Sequence, residues 1–307
     1  MTIGLIGCGI WGRAILRELL ALNADVFVFD TNTNTSAELR QVVKVAGRLE
    51  DLSQTDGLII ASPSVTHRGV LEKIIPWQLP VFIEKPLTTS LDDALFLASI
   101  VHSQVFLMHV WRYHGGIRLL GELARRGELG TITALRSTRS NWTSPRTDTD
   151  SIWNLAPHDL TIALEILGYI PTPKSAVVEW HDGVARGMTA LLGDSPFLQI
   201  EVSNRSPDKR REVRVQGTEG VAILKDEKVD HVEVYYGNDR SFPAPLNHQR
   251  LPFDTTPPLR RELSAFLHFL AGGPPPISDF QEGLLTVKIL AQLEQLAAPW
   301  NGSSVGG

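Results

Sequence analysis

Six residues near the start of the chain, Gly7-Cys8-Gly9-Ile10-Trp11-Gly12, set three glycines at the spacing GxGxxG. A short apolar run, residues 2–6, precedes them. Residues 10–22 follow with helical spacing, Ile10, Ala14, Ile15, Leu19 and Leu22 falling on one side. Strand, glycine turn and helix form the setting in which such a turn cradles phosphates. Gly7 permits the tight turn, Gly9 leaves bare backbone for a diphosphate, and Gly12 lets helix and strand approach closely. The helix N-terminus adds unpaired N–H groups and a partial positive charge. Asp30 ends the next apolar run, 18 residues after Gly12. A carboxylate there accepts hydrogen bonds from the ribose hydroxyls of NAD. A 2′-phosphate would face that anion at a cost of about 1–3 kcal/mol. Thr31-Asn32-Thr33-Asn34 supply no Arg or Lys to offset it. The expectation is NAD rather than NADP; the bland alternatives are a ligand-free glycine turn and a solvated aspartate.

A second candidate is Glu84-Lys85-Pro86, which follows the apolar run 81–83. In a doubly wound sheet the C-terminal ends of strands face the ligand crevice, so an ammonium there reaches cofactor and substrate. By composition alone, a solvated strand-end lysine is the better reading. Two other patterns fail on context. Gly302-Ser303-Ser304-Val305-Gly306 spells GxSxG, but it sits in a terminal stretch with no following helix. The nine histidines include no HExxH, and His109 and His114 are five apart, off a common helical face, so no metal site is expected.

The elements around these residues follow a recognisable grammar. Apolar runs at 26–29, 57–61, 81–83 and 104–110 alternate with helix-like segments near 36–43, 66–75 and 91–101. Ser90 with Asp93 forms a cap pair for the last of these. Wholly apolar strands separated by amphipathic helices predict a parallel sheet covered on both faces. After Tyr113 the pattern changes. Residues 115–127 and 152–167 read as helices, and 130–140 reads as a strand. Alternating segments at 176–180, 187–192, 197–202, 211–216 and 221–224 predict an antiparallel or mixed sheet. Residues 242–258 read as a Pro-rich loop, 259–271 and 281–297 as core-packed helices, and 301–307 as a flexible tail. The fold class expected is α/β: an N-terminal Rossmann domain over residues 1–113, then an α+β domain with an open, mostly antiparallel sheet over 114–307.

Composition narrows the function. The 307 residues carry 29 Lys and Arg against 34 Asp and Glu, a net charge of −5, which argues against nucleic acid and anionic membranes as partners. The single cysteine, Cys8, forbids an internal disulfide. No run reaches the ~18 apolar residues of a membrane span. The apolar N-terminus lacks a basic leader and is interrupted by glycines, so a cytoplasmic setting is expected.

The motifs together resemble the glucose–fructose oxidoreductase, inositol dehydrogenase and MocA family (Gfo/Idh/MocA). The matching pieces are the glycine turn, Ala61-Ser62-Pro63 with His67, Glu84-Lys85-Pro86, Trp111-Arg112-Tyr113 leading to Gly127-Glu128-Leu129-Gly130, and Pro157-His158-Asp159. Gln216-Gly217-Thr218-Glu219-Gly220 and residues 259–270 also fit, so the resemblance spans nearly the whole chain. The run Ile152-Trp153-Asn154-Leu155-Ala156-Pro157-His158-Asp159-Leu160 is most similar to members acting on nucleotide-linked sugars.

The resemblance implies an active site between the two domains and hydride transfer between NAD and a carbinol or carbonyl carbon of a sugar, nucleotide-sugar or inositol-like substrate. It implies a cofactor set of Gly7, Gly9, Ile10, Trp11, Gly12, Asp30, Ala61, Ser62, Pro63, His67, Glu84, Lys85 and Pro86, with a cis bond before Pro86. Lys85 becomes the lysine beside the nicotinamide and His158 the acid–base histidine, a role that suits imidazole's reference pKa of ~6.5. Many relatives have an aspartate four residues before this histidine, whereas this chain has Asn154, which positions by hydrogen bonds but carries no charge. Thr161 stands where relatives carry a further aspartate. Arg112, Tyr113, Arg139, Asn141 and Arg146 join Asn154 and His158 as substrate candidates, with solvent exposure the alternative for Arg139, Asn141 and Arg146. Relatives often pair through the open sheet, so a homodimer or homotetramer is expected. The competing functions are a non-catalytic dinucleotide-binding regulator on the same scaffold and an imine or enol-ether reductase.

Overall fold

A computed structural model describes residues 1–102, 104–143, 149–237 and 247–297. In chain order the elements are β1 (Thr2–Ile6), α1 (Ile10–Ala21), β2 (Asp25–Phe29), α2 (Thr33–Leu39), β3 (Lys44–Val45), β4 (Gly57–Ile60), α3 (His67–Ile74), β5 (Val81–Glu84), α4 (Leu91–Ile100) and β6 (Val105–Met108). There follow α5 (Gly115–Arg125), β7 (Ile132–Trp142), α6 (Ser151–Leu167), β8 (Pro173–His181), β9 (Val184–Leu192), β10 (Phe197–Ser203) and β11 (Arg205–Gly217). The last are β12 (Gly220–Leu224), β13 (His231–Tyr236), β14 (Asn247–Pro252), α7 (Pro258–Leu270) and α8 (Phe280–Ala297).

One compact unit comprises Met1–Val110 and Pro257–Val287. Its six strands are all parallel, in the order β3-β2-β1-β4-β5-β6. β4, β5 and β6 are buried at every position, which is why they read as unbroken apolar runs. The order reverses between β1 and β4, the switch point at which doubly wound sheets open a crevice. α7 packs on this sheet. Phe266 stacks on Phe82 with ring centroids 5.0 Å apart, and Leu263 and Phe266 share a buried core with Leu5, Ile59 and Met108.

The other unit comprises Trp111–Thr256 with the chain from Lys288. Its eight strands run β14-β13-β12-β11-β7-β10-β9-β8. Only β7 and β10 pair in parallel; every other neighbouring pair is antiparallel. α6 touches β7, β9 and β10, while α5 touches β11, β12 and β13. Alternation along the strands sends Leu135, Met188, Leu198, Ile200 and Val213, all buried, toward these helices. Register puts Val177, Thr189, Leu191 and Glu201 on the opposite face, and all four are exposed.

The expected fold class, a parallel sheet followed by a mostly antiparallel one, is the observed one, with local differences. Residues 247–252, expected in a loop, form β14 against β13. Asn-His-Gln-Arg has no apolar alternation to announce a strand. An edge strand needs only its neighbour's backbone, and polar residues there discourage further pairing. α2 starts three residues earlier than expected, because the Asn32 side chain accepts from the N–H groups of Asn34 and Thr35 and nucleates the first turn. The Ser90 cap forms as expected, its hydroxyl accepting from Asp93 N at 3.4 Å. The GxSxG stretch and the tail 301–307 lie outside the described residues.

Candidate active site

The glycine turn is built by close backbone packing. Gly7 has φ +88°, and a Cβ there would lie 2.6 Å from the backbone nitrogen of Ser62, so both conformation and space demand glycine. A Cβ on Gly12 would lie 2.3 Å from the Gly7 carbonyl oxygen. Gly9 differs, since a Cβ there meets nothing within 4 Å. Gly9 is also the N-cap of α1 and supplies no side-chain acceptor, so the first-turn N–H groups have no helical partner. Ile10 is 95% exposed and Trp11 42%. Open space beside Gly9, at a helix N-terminus whose first-turn N–H groups have no helical partner, fits a diphosphate such as that of NAD.

Asp30 does more than was expected of it. Its Oδ2 accepts from Cys8 N at 2.6 Å and its Oδ1 from Asn32 N at 2.7 Å, so the carboxylate pins the glycine turn to the end of β2. Burial, with the nearby Asp30 charge adding and Arg13 opposing, pushes the Cys8 thiol up to about 11. The thiol is therefore neutral and brings no negative charge to the turn.

His67 is fully buried and supports the site from beneath. Its Nδ1 lies 3.0 Å from the Pro86 carbonyl and 3.3 Å from that of Leu87, and its Nε2 lies 3.1 Å from the Ser62 carbonyl. The ring thus ties Ala61-Ser62-Pro63 to Glu84-Lys85-Pro86. The Lys85–Pro86 bond is cis. Glu84 is 8% exposed; its Oε1 accepts the indole N–H of Trp11 and its Oε2 accepts from Lys85 N at 3.2 Å. Lys85 itself is half-buried at the carboxyl end of β5.

In the second unit α6 carries the other candidates. Asp150 caps it, accepting from Ile152 N at 2.9 Å and Trp153 N at 3.0 Å. The helix buries thirteen of its seventeen residues and leaves only Asn154, His158, Glu165 and Leu167 more accessible. Asn154 and His158 are one turn apart on one face. Glu165 is taken by Arg112 at 3.3 Å. Tyr113 is buried, 4% exposed.

Arg139, expected to meet substrate anions, is turned inward instead. It is 3% exposed, its Nε lies 3.1 Å from Asp159 Oδ2, and its guanidinium stacks 4.2 Å above the Trp111 ring. Asp159 also accepts from Ser137 Oγ at 2.5 Å. The pair braces α6 on β7, and Trp111 in turn flanks the His158 ring at 6.5 Å. Asn141 is half-buried on β7, and Arg146 lies outside the described residues. Among the described residues no group of three or more His, Cys, Asp or Glu could hold a metal ion.

Comparison with known proteins agrees with this geometry. Residues 1–110 match the family described as an oxidoreductase family with an NAD-binding Rossmann fold, GFO_IDH_MocA. The UDP-N-acetylglucosamine 3-dehydrogenase of Acidithiobacillus ferrooxidans is 30% identical over 225 residues, covering 69% of this chain and 71% of that protein. The chain belongs to the Gfo/Idh/MocA oxidoreductase family. The inositol 2-dehydrogenase 2 of Saccharopolyspora erythraea is 26% identical over 221 residues, 66% of this chain and 64% of its own. A levoglucosan dehydrogenase solved with NADH and L-sorbose shares the fold, with a TM-score of 0.85 at 15% identity over 97% of each chain. As a Gfo/Idh/MocA member the chain is an NAD-binding oxidoreductase.

Sequence reasoning missed three parts of the site. The Trp11–Glu84 contact and the Arg139–Asp159 brace join residues far apart in sequence, and the carboxyl of Glu262 lies fully buried on α7. Only the unusual Glu in the apolar face of residues 259–270 left a trace in the sequence.

Proposed function

We propose that this oxidoreductase interconverts a carbinol and a carbonyl on a sugar, nucleotide sugar or inositol-like ring. NAD, held by the glycine turn and Asp30, supplies the two-electron chemistry by accepting or returning a hydride. His158 takes the substrate hydroxyl proton in oxidation and returns it in reduction. Lys85 polarises the substrate oxygen and stabilises the developing alkoxide. Asn154 positions the substrate by hydrogen bonds. Arg112 and Tyr113 are assigned to the substrate side, and Arg139 is assigned to bracing His158 through Asp159 and Trp111. Ala61, Ser62, Pro63, His67, Glu84 and Pro86 shape the cofactor floor. Residues 1–113 do the cofactor work and 114–307 the substrate work, except that α7 packs on the first unit's sheet and supports the cofactor side.

The observation that carries this reading is α6. A helix that buries thirteen of its seventeen residues keeps an imidazole and an amide, one turn apart, only half-buried. The activities of the relatives, on UDP-N-acetylglucosamine and inositol, support this substrate class. Among the described residues no helix is long and apolar enough to cross a membrane. Cytoplasmic residence and a homodimer or homotetramer formed through the exposed face of the eight-stranded sheet complete the proposal. The test is to follow nicotinamide absorbance with purified protein across nucleotide sugars, inositols and free sugars. Turnover that disappears in His158→Ala is expected. Turnover on none of them, with NAD bound, would overturn the substrate assignment.

A further inference from the structure

Glu262 has zero exposure, and among the described residues neither of its carboxyl oxygens has a hydrogen-bond partner. An ionised carboxylate left so would be among the costliest arrangements in a protein. The packing shows what surrounds it. Four residues on, Phe266 stacks on Phe82 of β5. At the other end of the helix Leu270 lies against Gly57, the first residue of β4, so α7 runs antiparallel to the strands. One turn back along α7 is about 6 Å. Two residues forward along β5, on the same face, is about 6.6 Å. Glu262 and Glu84 therefore occupy one layer, directly above the phenylalanine pair and at the ligand end of the sheet.

Two carboxyls in one dry layer cannot both be ionised. The donors decide which keeps the charge. Trp11 Nε1 and Lys85 N both donate to Glu84, and no described donor serves Glu262. Burial first, and then the Glu84 charge, hold the Glu262 carboxyl well above the usual carboxylate range. The other titratable groups on the elements packed here are Lys85 after Glu84, His109 after β6, Arg13, Arg17 and Glu18 on α1, and Arg260, Arg261 and His268 on α7, with Glu18 and Arg260 paired at 2.8 Å.

We propose that Glu262 is a neutral carboxylic acid whose O–H, unpaired in this structure, turns to the Glu84 carboxylate in the same layer and so makes Glu262 a positioning residue for the Trp11–Glu84–Lys85 bridge. That bridge joins the first turn of α1 to the residue that carries the site's ammonium. The kinetic part of this proposal rests on the reading of Lys85 given above; the protonation state does not.

The test uses the whole chain with Glu262→Gln and Glu262→Leu. In carboxyl-labelled protein the resonance lost in Glu262→Gln is expected to begin titrating only well above the ordinary carboxylate range. Glu262→Gln keeps an N–H donor for Glu84 and is expected to hold kcat within about twofold, whereas Glu262→Leu lowers kcat about tenfold, the worth of one charge-assisted hydrogen bond. A folded carboxyl held above its unfolded value of 4.5 adds stability below that pH and loses it as pH rises toward the folded value. Glu262→Gln is therefore expected to raise Tm more at pH 8 than at pH 5. A Glu262 resonance that titrates as an ordinary carboxylate, or a Glu262→Gln variant as impaired as Glu262→Leu, would overturn the proposal. If Glu262→Leu does not fold, the resonance and the Tm comparison still decide. Absence of any redox turnover would count against the function above and leave both of those readings intact.

Discussion

Lys85 and Glu84 are chain neighbours with different surroundings. Glu84 is buried and holds Trp11 and the Lys85 backbone, while the Lys85 side chain is half-buried at the strand end. Removing the ammonium should therefore leave the backbone scaffold standing. Lys85→Ala is expected to lower kcat about a hundredfold, the range for losing a group that stabilises transition-state charge, with NAD affinity nearly unchanged. Single-turnover rates and a fluorescence titration of NAD check it, and equal losses in both would sink the assigned role. Asn154 offers a second test at this scale. It stands one helical turn from His158, where a carboxylate would stabilise the imidazolium that forms when His158 takes a proton. Asn154→Asp is expected to raise turnover roughly twofold to tenfold in the oxidative direction. A fall in kcat with a raised KM would instead show that the amide itself holds substrate.

At the scale of elements, the glycine turn separates folding from binding. Gly12 needs its missing Cβ for helix and strand to pack, since that atom would overlap the Gly7 carbonyl oxygen at 2.3 Å. Gly9 needs its missing Cβ only for what approaches from outside. Gly12→Ala is expected to cost about 1–3 kcal/mol of stability and to lose NAD binding with it. Gly9→Ala is expected to melt like the parent while NAD affinity falls about tenfold or more, because the methyl fills the cradle. Melting curves beside NAD titrations separate the two, and a Gly9→Ala protein that binds NAD normally would refute the cradle. This turn was legible in the sequence because its function needs local spacing: glycines at fixed offsets, then Asp30 at the end of the next strand. The parallel sheet was legible because strands buried on both faces are apolar at every position. β14 was not, since an edge strand carries no such signal. Nor was the destination of Arg139 or of Glu262, because a charge aimed at a substrate and a charge aimed at a buried partner look alike in sequence. Asp159 decides the first only when β7 and α6 are folded together, and the antiparallel run of α7 on β5 decides the second.

For the whole molecule, the eight-stranded sheet sets the expectation about assembly. One face is covered by α5 and α6 and contains the buried aliphatic residues, as a half-covered antiparallel sheet should. The other face carries Val177 at 51% exposure and Leu191 at 43%, among polar side chains such as Thr189 and Glu201. Arg136 stacks on Phe197 on that face with the guanidinium 4.9 Å from the ring, and Arg214 pairs with Glu212 at 3.0 Å. Apolar residues held in a rigid, mixed-charge surface suit a self-complementary contact about a twofold axis, in which each copy meets the same patch on the other. A charge at the apolar centre would meet its own symmetry mate across that axis. Under the proposed assembly through this face, Leu191→Glu is expected to give monomers at micromolar concentration and a lower melting temperature, since assembly would no longer add to stability. Sedimentation velocity of the parent and the variant reads this directly. A monomeric parent, or a variant that assembles like the parent, would remove the sheet face from the assembly.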